Sequence, residues 1–227
     1  MAAYATLKEQ GTMSSNFSYR QVEQVEDAAL RAVLVKRAFD LVFASLVLIF
    51  LLSWLIPLIA LLIKLDSKGP VFFKQLRTGK NGLPFYCLKF RSMRTSADAD
   101  HKQASRGDSR ITRLGAILRK TSLDELPQFI NVLRGEMSVV GPRPHMLKHT
   151  EDYAQVIDNF MVRHAVMPGI TGLAQVAGHR GETKEIAAMA KRVNADIFYI
   201  KNWSFFLDLK IVLLTVKQAV KGSENAF

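Results

Sequence analysis

The chain has 227 residues, of which 49% are hydrophobic, and it carries a formal net charge of +11 at pH 7. This length suits one domain with a core of ordinary size, and the charge favours anionic partners: nucleic acid, anionic lipid head groups or phosphorylated substrates. The single cysteine, Cys87, excludes an internal disulfide, which fits a reducing cytoplasmic compartment.

The N-terminal part of the chain runs into a long apolar segment. Residues 1–18 are polar, and we predict that they are disordered. Apolar residues recur at helical spacing from Tyr19 to Arg37, which predicts a lead-in helix. The next segment, Leu41–Ile63, contains 23 consecutive residues without a charge. One helix of that length measures about 35 Å, enough to cross a bilayer.

Two topologies are open for the apolar segment. Positive charge marks the cytoplasmic side, but basic residues lie on both sides of this segment, so a simple crossing has no clear orientation. Ser53 and Pro57 lie near its middle, and proline kinks a helix. We expect a membrane bend there and a re-entrant helix that returns to the face it entered. A kinked helix that crosses the membrane is the alternative.

The remainder of the chain predicts an α+β, mostly helical domain with a β-hairpin and amphipathic surface helices. Its predicted elements are strands at 71–73 and 85–90 around a turn at 78–82, a loop at 95–110, helix at 111–133 broken near Thr121–Ser122, a rigid loop at 141–144, a turn at 168–172, and helices at 185–200 and 203–220. The predicted organisation is a tail and lead-in helix (1–35), a re-entrant membrane helix (36–65) and a cytoplasmic catalytic domain with interfacial helices (66–227).

The adjacent carboxylates Asp124 and Glu125 are the strongest chemical candidates. Ser122 followed three residues later by Glu125 has the spacing of a helix capping box, which explains the acidic pair structurally. The same position also suits function, because a helix N-terminus holds a carboxylate ionised. Such a group can attack phosphorus or bind a metal ion. Arg119, five residues before Asp124, could reach a phosphate.

Other basic residues are candidate phosphate ligands. Lys89 and Arg91 alternate with apolar residues, and the alternative for both is an ordinary strand with a solvated face. Arg143 lies between two prolines, where a fixed guanidinium can bind phosphate with two hydrogen bonds. The histidines have no tight metal-ligand spacing, and the sequence has no glycine-rich phosphate loop of the P-loop or Rossmann type.

Seven stretches in order resemble the bacterial sugar transferase family, also called monotopic phosphoglycosyl transferases. Any one is weak evidence, but the ordered set is highly specific. They are Lys36–Asp40, Gly69–Gln75, Lys89–Met93, Thr121–Gln128, Asn131–Ser138, Val140–Pro144 and Pro168–Gly172.

The resemblance implies a re-entrant helix in the bacterial inner membrane, a catalytic domain on the cytoplasmic face and a two-step covalent reaction. Asp124 matches the nucleophile that attacks the β-phosphate of a UDP-sugar and expels UMP. Glu125 matches its partner, which assists with Mg²⁺ or with the incoming lipid phosphate, and both carboxylates are expected metal ligands. Arg119 and Arg143 match phosphate- or nucleotide-binding positions, and Lys89 and Arg91 are further candidates. Polyprenyl phosphate then takes the sugar phosphate from the aspartate.

A narrower resemblance links the chain to members that transfer glucose-1-phosphate to undecaprenyl phosphate. The residues that carry it are 178–183 and 199–204, and it covers only the catalytic part of such members. Three positions depart from the family pattern: Trp54 follows Ser53 where proline is usual, Leu173 replaces a frequent tryptophan, and Ala177 replaces a frequent asparagine. The first puts the place of the bend in doubt, and the other two affect the expected sugar contacts.

Two other classes of function are compatible with the composition. A membrane adaptor would use its basic face to bind anionic lipids. A nucleic-acid-binding protein would explain the charge but not the membrane segment, and no recognisable module supports it, so we expect no nucleic-acid partner. The sequence does not fix the oligomeric state, and a homodimer is compatible with it. UMP release from a UDP-sugar distinguishes the transferase from both alternatives.

Overall fold

The computed structural model describes residues 19–94, 108–179 and 185–221. The predicted disorder at 1–18, most of the predicted loop at 95–110 and residues 180–183 of the glucose-type pattern lie outside these ranges. The described residues form eight α-helices: α1 (Tyr19–Leu46), α2 (Ser53–Asp66), α3 (Arg113–Lys120), α4 (Gln128–Leu133), α5 (Leu147–Ala154), α6 (Leu173–Val176), α7 (Ile186–Lys201) and α8 (Phe205–Lys221). Their strands are β1 (Phe72–Thr78), β2 (Pro84–Phe90), β3 (Ser138–Val140) and β4 (Gly169–Thr171). The predicted mostly helical composition is therefore confirmed.

The contacts within the chain define two units, Met1–Phe39 and Asp40–Phe227. In the first unit, the structure describes the helical residues from Tyr19 onward. The second unit contains the apolar segment together with every later element. The boundaries predicted at residues 35 and 65 stay predictions.

The stretch Leu30–Asp66 is helical, and its length and composition would allow it to cross a membrane. Only 17% of the most apolar part of this stretch is buried, whereas the core helix of a soluble protein is mostly buried. Within the second unit, one side of this stretch packs inward through Ala44, Leu52 and Ile59, whereas Phe50 is 72% exposed and Leu65 is 75% exposed. Apolar side chains left outside a protein core are suited to contact with lipid.

The helical hydrogen-bond pattern changes next to the predicted bend. Residues Val47–Leu52 form a π-helical stretch that joins α1 to α2. Ser53 begins α2, and its hydroxyl donates to the Ile49 carbonyl at 2.7 Å. Pro57 lies inside α2 and cannot donate a backbone hydrogen bond. The backbone remains in the right-handed helical region at Leu52 and Ser53, so the bend at Ser53 and Pro57 stays a prediction.

Both ends of the apolar segment contact the rest of the second unit. At its start, Asp40 is buried, and its Oδ1 accepts hydrogen bonds from the Val139 amide and the Ser138 hydroxyl, each at 2.9 Å. At its end, Ile59 and Ile63 pack against Phe90 of β2 and Leu118 of α3. The segment is therefore attached to this unit at both ends.

Arg91 closes the C-terminal end of α2. Its guanidinium donates to three backbone carbonyls, those of Lys68 and Ser67 at 2.6 Å each and that of Ile63 at 3.3 Å. A cation that satisfies the last carbonyls of a helix is a favourable cap. Arg91 is also buried, so its contacts are those of a structural residue.

The predicted β-hairpin is confirmed, with a longer first strand than expected. Strand β1 pairs antiparallel with β2 from Phe72 opposite Phe90 to Thr78 opposite Pro84. The turn uses left-handed backbone at Asn81, with φ of 56°, and at Gly82, with φ of 78°. The sequence underestimated β1 because Lys74 and Arg77, which follow the predicted strand at 71–73, hide the alternation typical of a strand.

A second, parallel sheet joins two short strands that the sequence did not predict: β3 directly precedes the predicted rigid loop at 141–144, and β4 lies within the predicted turn at 168–172. Strand β3 pairs with β4, Ser138 opposite Gly169 and Val140 opposite Thr171. A Cβ atom on Gly169 would lie 2.1 Å from the Gly141 amide nitrogen, so this close approach requires glycine. Strands of three residues are too short for a periodic sequence signal.

Candidate active site

The acidic pair lies in a single 3₁₀ turn rather than at the start of an α-helix. Helix α3 ends at Lys120, and Ser122 adopts left-handed backbone with φ of 58°, which redirects the chain into the 3₁₀ turn Leu123–Glu125. The Ser122 side chain makes no capping hydrogen bond, so the predicted capping box is wrong. Backbone at positive φ is unfavourable for serine and is often found where function requires a special geometry.

Glu125 is held by two basic side chains. Its Oε1 accepts from Lys89 Nζ at 2.7 Å and also from Arg143 Nη2, and its Oε2 accepts from Arg143 Nη1 at 3.0 Å. Burial acts to raise the pKa of Glu125, but the charges of Arg143 and Lys89 outweigh it and hold that pKa well below its usual range. In turn, the Glu125 charge raises the pKa of Arg143. Glu125 and Arg143 are therefore both ionised near neutral pH.

Asp124 has a different environment although it is the adjacent residue. It is 5% exposed. Burial raises the pKa of its carboxyl to about 6; the Lys89 charge opposes this increase, and the Glu125 charge adds to it. Within the described ranges, no hydrogen bond to the Asp124 carboxylate is found. A buried carboxylate that lacks such bonds keeps its lone pairs for a reacting partner.

The structure brings five of the six predicted chemical residues together. Lys89, Arg119 and Arg143 all lower the pKa of Asp124 by their charge, so each lies close to the pair. Three cations against two ionised carboxylates leave one net positive charge, which suits a diphosphate. Arg91 is not part of this group, because its guanidinium binds the end of α2.

Four hydrogen bonds hold the loop that carries Arg143. The sequence predicted a rigid loop from its two prolines. In the structure, each backbone carbonyl from Pro142 to His145 also accepts a hydrogen bond. The donors come from three segments. The Gly169 amide donates to Pro142 O at 2.9 Å, and Arg163 Nη2 donates to Arg143 O at 2.8 Å. From β1, Arg77 Nη1 donates to Pro144 O at 2.7 Å and the Thr78 amide donates to His145 O at 2.9 Å.

Sequence reasoning missed three residues that support this site. Arg77 lies on β1, Arg163 lies in the 3₁₀ segment Phe160–Ala165, and Asp196 lies on α7. Arg163 and Asp196 form a buried ion pair, with side chains 1% and 2% exposed. No local pattern indicates it, because the two residues are 33 positions apart.

The oxygen ligands available at the site can be compared with what the Mg²⁺ implied by the family resemblance would need. Among the described residues, no group of three or more His, Cys, Asp and Glu side chains could hold a metal ion. Glu125 already accepts hydrogen bonds on both oxygens. Mg²⁺ is commonly bound by one or two carboxylates together with substrate phosphates. The residues present are compatible with an ion of that kind, for which Asp124 would be the protein ligand; the contacts of Mg²⁺ with Asp124 and with Glu125 both stay predictions.

The chain belongs to the bacterial sugar transferase family, whose family model matches residues 31–222. Among its relatives, a UDP-glucose:undecaprenyl-phosphate glucose-1-phosphate transferase of Escherichia coli (strain K12) is 54% identical over 81% of this chain and 39% of that protein. A Caulobacter vibrioides protein of the same name is 50% identical over 85% of this chain and 72% of its own length. The exopolysaccharide production protein PSS of Rhizobium leguminosarum bv. phaseoli is 47% identical over 81% of this chain and 94% of its own length.

The relatives differ in how much of them this chain matches. It spans about two fifths of the Escherichia coli protein but nearly all of the Rhizobium protein. The matched part contains the acidic pair and its basic neighbours, because the family model covers them.

Proposed function

We propose that the chain transfers a hexose-1-phosphate, with glucose-1-phosphate the best candidate, from a UDP-sugar to polyprenyl phosphate and releases UMP. The observation that carries this proposal is the buried pair Asp124–Glu125, surrounded by Lys89, Arg119 and Arg143. It supplies a nucleophile and a cationic site for phosphates in one place. The names of the relatives favour glucose as the sugar and undecaprenyl phosphate as the acceptor.

In the first step, an Asp124 carboxylate oxygen attacks the β-phosphorus of the UDP-sugar. The new bond joins this oxygen to phosphorus, and the bond between the β-phosphorus and the bridging oxygen breaks, so UMP leaves with the electron pair. The attack requires an ionised carboxylate, and ionisation at a pKa of about 6 provides it at neutral pH. The burial of Asp124 keeps water from competing with the substrate.

In the second step, a phosphate oxygen of the polyprenyl phosphate attacks the same phosphorus, and the Asp124 carboxylate departs. The lipid then carries the sugar on a diphosphate. Lys89, Arg119 and Arg143 bind the phosphates in both steps and stabilise the charge that develops on their oxygens. Glu125 keeps the Lys89 and Arg143 cations aligned. When bound, Mg²⁺ would further offset the pyrophosphate charge.

We also propose that Leu41–Ile63 is a re-entrant membrane anchor. The support is the attachment of both ends to one unit, through Asp40 at the start and Arg91 at the end. The ends of a helix that crosses a bilayer are separated by about 30 Å of hydrocarbon, and a soluble domain cannot reach both through lipid. A re-entrant helix places both ends on one face, which for this reaction is the cytoplasmic face of the bacterial inner membrane.

Two C-terminal helices extend the proposed contact with lipid. Helix α8 exposes Phe206, Leu213 and Val216 at 80%, 70% and 57%, and α7 exposes Phe198 at 57%. Amphipathic helices with exposed aromatic and aliphatic residues are suited to the interfacial region. Membrane lipids are then partners beside the substrates, and the homodimer stays a prediction.

A panel of UDP-sugars tests the substrate. Purified protein, Mg²⁺ and undecaprenyl phosphate are incubated with each sugar nucleotide, and UMP and lipid-linked sugar are measured. We expect both products from UDP-glucose, which would place the enzyme at the first membrane step of exopolysaccharide, capsule or O-antigen synthesis. Products from another UDP-sugar alone would correct the sugar. No UMP from any member of the panel would refute the transferase and favour a lipid-binding adaptor.

A further inference from the structure

We propose that Arg163 is a positioning residue that sets the orientation of Arg143, an inference that rests on the proposed function. Its guanidinium connects three groups on two segments, the loop that carries Arg143 and His145 and the helix α7 that carries Asp196. Nη2 donates to the Arg143 carbonyl at 2.8 Å, Nη1 contacts His145 Nδ1 at 2.7 Å, and Nη2 and Nε contact Asp196 Oδ2 at 2.6 and 3.0 Å. Arg163 therefore binds the backbone of the residue whose side chain binds Glu125.

The contacts of Arg163 require a planar guanidinium. Its side chain is 1% exposed and lies over the Phe160 ring, 5.5 Å from the centroid. Three nitrogens donate in fixed directions, which the single ammonium of lysine cannot reproduce. Asp196 balances the charge within the protein interior. The ion pair and the hydrogen bonds offset the cost of desolvating a buried arginine.

The position of Arg143 matters because its two side-chain nitrogens bind the two oxygens of Glu125. Arg163 fixes the Arg143 carbonyl from one direction, and Arg77 fixes the next carbonyl, that of Pro144, from another. A shift of the loop moves the Arg143 guanidinium relative to Glu125 and Asp124. Displacements of about 1 Å in a catalytic group can lower rates on the order of 100-fold.

The test is a double-mutant cycle of Arg163→Lys with Arg143→Gln, measured as kcat/KM for UMP release. We expect Arg163→Lys to lower kcat/KM about 10- to 100-fold in the wild-type background. In the Arg143→Gln background the same change should lower it less than about 3-fold, since Arg163 acts through Arg143. The exposed control Arg134→Lys should leave kcat/KM unchanged in both backgrounds.

Each alternative outcome has a distinct reading. Equal losses in both backgrounds, or an active Arg163→Lys variant with unchanged kcat/KM, would overturn the inference. If Arg163→Lys does not fold, the double variant Arg163→Met, Asp196→Leu repeats the comparison without an unpaired buried charge. Failure of that variant to fold as well would assign the ion pair to folding alone and also overturn the inference. Absence of UMP release by the wild-type protein would refute the proposed function itself.

Discussion

Two adjacent carboxylates divide the proposed chemistry because their surroundings differ. Glu125 is bound by Arg143 and Lys89, and its pKa lies well below the usual range. Asp124 is buried without such bonds in the described residues, and its pKa rises to about 6. Pairs of titratable groups with separated pKa values are typical of active sites with divided roles. In the proposed reaction, Glu125 orients the basic side chains and Asp124 is the nucleophile.

The pH dependence of kcat/KM for UMP release follows from Asp124. A raised pKa means that the carboxyl is protonated, and not nucleophilic, below about pH 6. We expect kcat/KM to fall about tenfold per pH unit below 6 and to be level above it, since this parameter reports the free enzyme. Stopped assays in buffers of constant ionic strength give the profile. A half-point at or below pH 4 would contradict the environment described for Asp124.

The sequence did not distinguish Lys89 from Arg91, both of which it predicted as candidate phosphate ligands. The two residues have the same charge, and alternation along a strand places them on the same face. The structure separates them because β2 ends at Phe90. Lys89 binds Glu125, whereas Arg91 binds the end of α2. The acidic pair and its basic neighbours were all candidates from the sequence, but the contacts of Lys89 and Arg143 with Glu125 could not be predicted, because these residues are 36 and 18 positions from it.

Substitutions at these two positions should separate stability from substrate binding. Arg91→Met removes hydrogen bonds to the α2 carbonyls, and we expect a loss of roughly 3 kcal/mol in stability with KM for UDP-glucose changed less than about 2-fold. Lys89→Met removes the proposed phosphate contact, and we expect KM to rise about tenfold or more. Thermal unfolding in detergent and steady-state kinetics measure both. Arg94→Met, at an exposed position, is the control; a tenfold rise in KM for Arg91→Met would restore Arg91 as a phosphate ligand.

At the scale of elements, the site depends on close packing of α3 against the segment after β2. Thr112 caps α3 by accepting from the Gly115 amide at 3.0 Å, and the Thr112 amide donates to the Ser92 carbonyl at 3.2 Å. A Cβ atom at Gly115 would lie 1.9 Å from that carbonyl oxygen. The sequence predicted helix here, but it could not show why a glycine occupies its first turn.

Gly115→Ala should destabilise the protein although alanine is the better helix former. The intrinsic gain of about 1 kcal/mol is outweighed by backbone overlap with Ser92, and overpacking commonly costs about 1–3 kcal/mol. Thermal unfolding should show a lower Tm and reduced UMP release, because the same helix leads to Asp124. Ala116→Gly, at an exposed position of α3, should lose only about 1 kcal/mol. A higher Tm for Gly115→Ala would contradict this packing.

At the scale of the whole molecule, the proposed reaction joins a water-soluble nucleotide sugar to a lipid. The second unit combines the apolar segment with the acidic pair and its cations. The sequence identified the apolar segment from its composition alone. The hydrogen bonds between Asp40 and β3 could not be predicted from the sequence, because the residues concerned are about 100 positions apart. That attachment is the main support for a re-entrant segment.

Cysteine labelling tests this topology directly. Arg20→Cys and Asp100→Cys flank the apolar segment on its two sides, and the wild-type protein corrects for Cys87, which is buried. In intact spheroplasts, a membrane-impermeant maleimide should label neither site, and after permeabilisation it should label both. Labelling of one site alone in intact spheroplasts would establish a full crossing and exclude the re-entrant segment.

The most direct test of the central claim is to isolate the reaction before the lipid acts. Protein is mixed with UDP-glucose and Mg²⁺ without polyprenyl phosphate, and UMP and the mass of the peptide that contains Asp124 are measured. The account predicts a burst of no more than one UMP per protein and a hexose phosphate on Asp124, discharged when undecaprenyl phosphate is added. Asp124→Asn should give neither, whereas the exposed control Asp158→Asn should give both. Normal turnover by Asp124→Asn, or modification of another residue, would contradict the account.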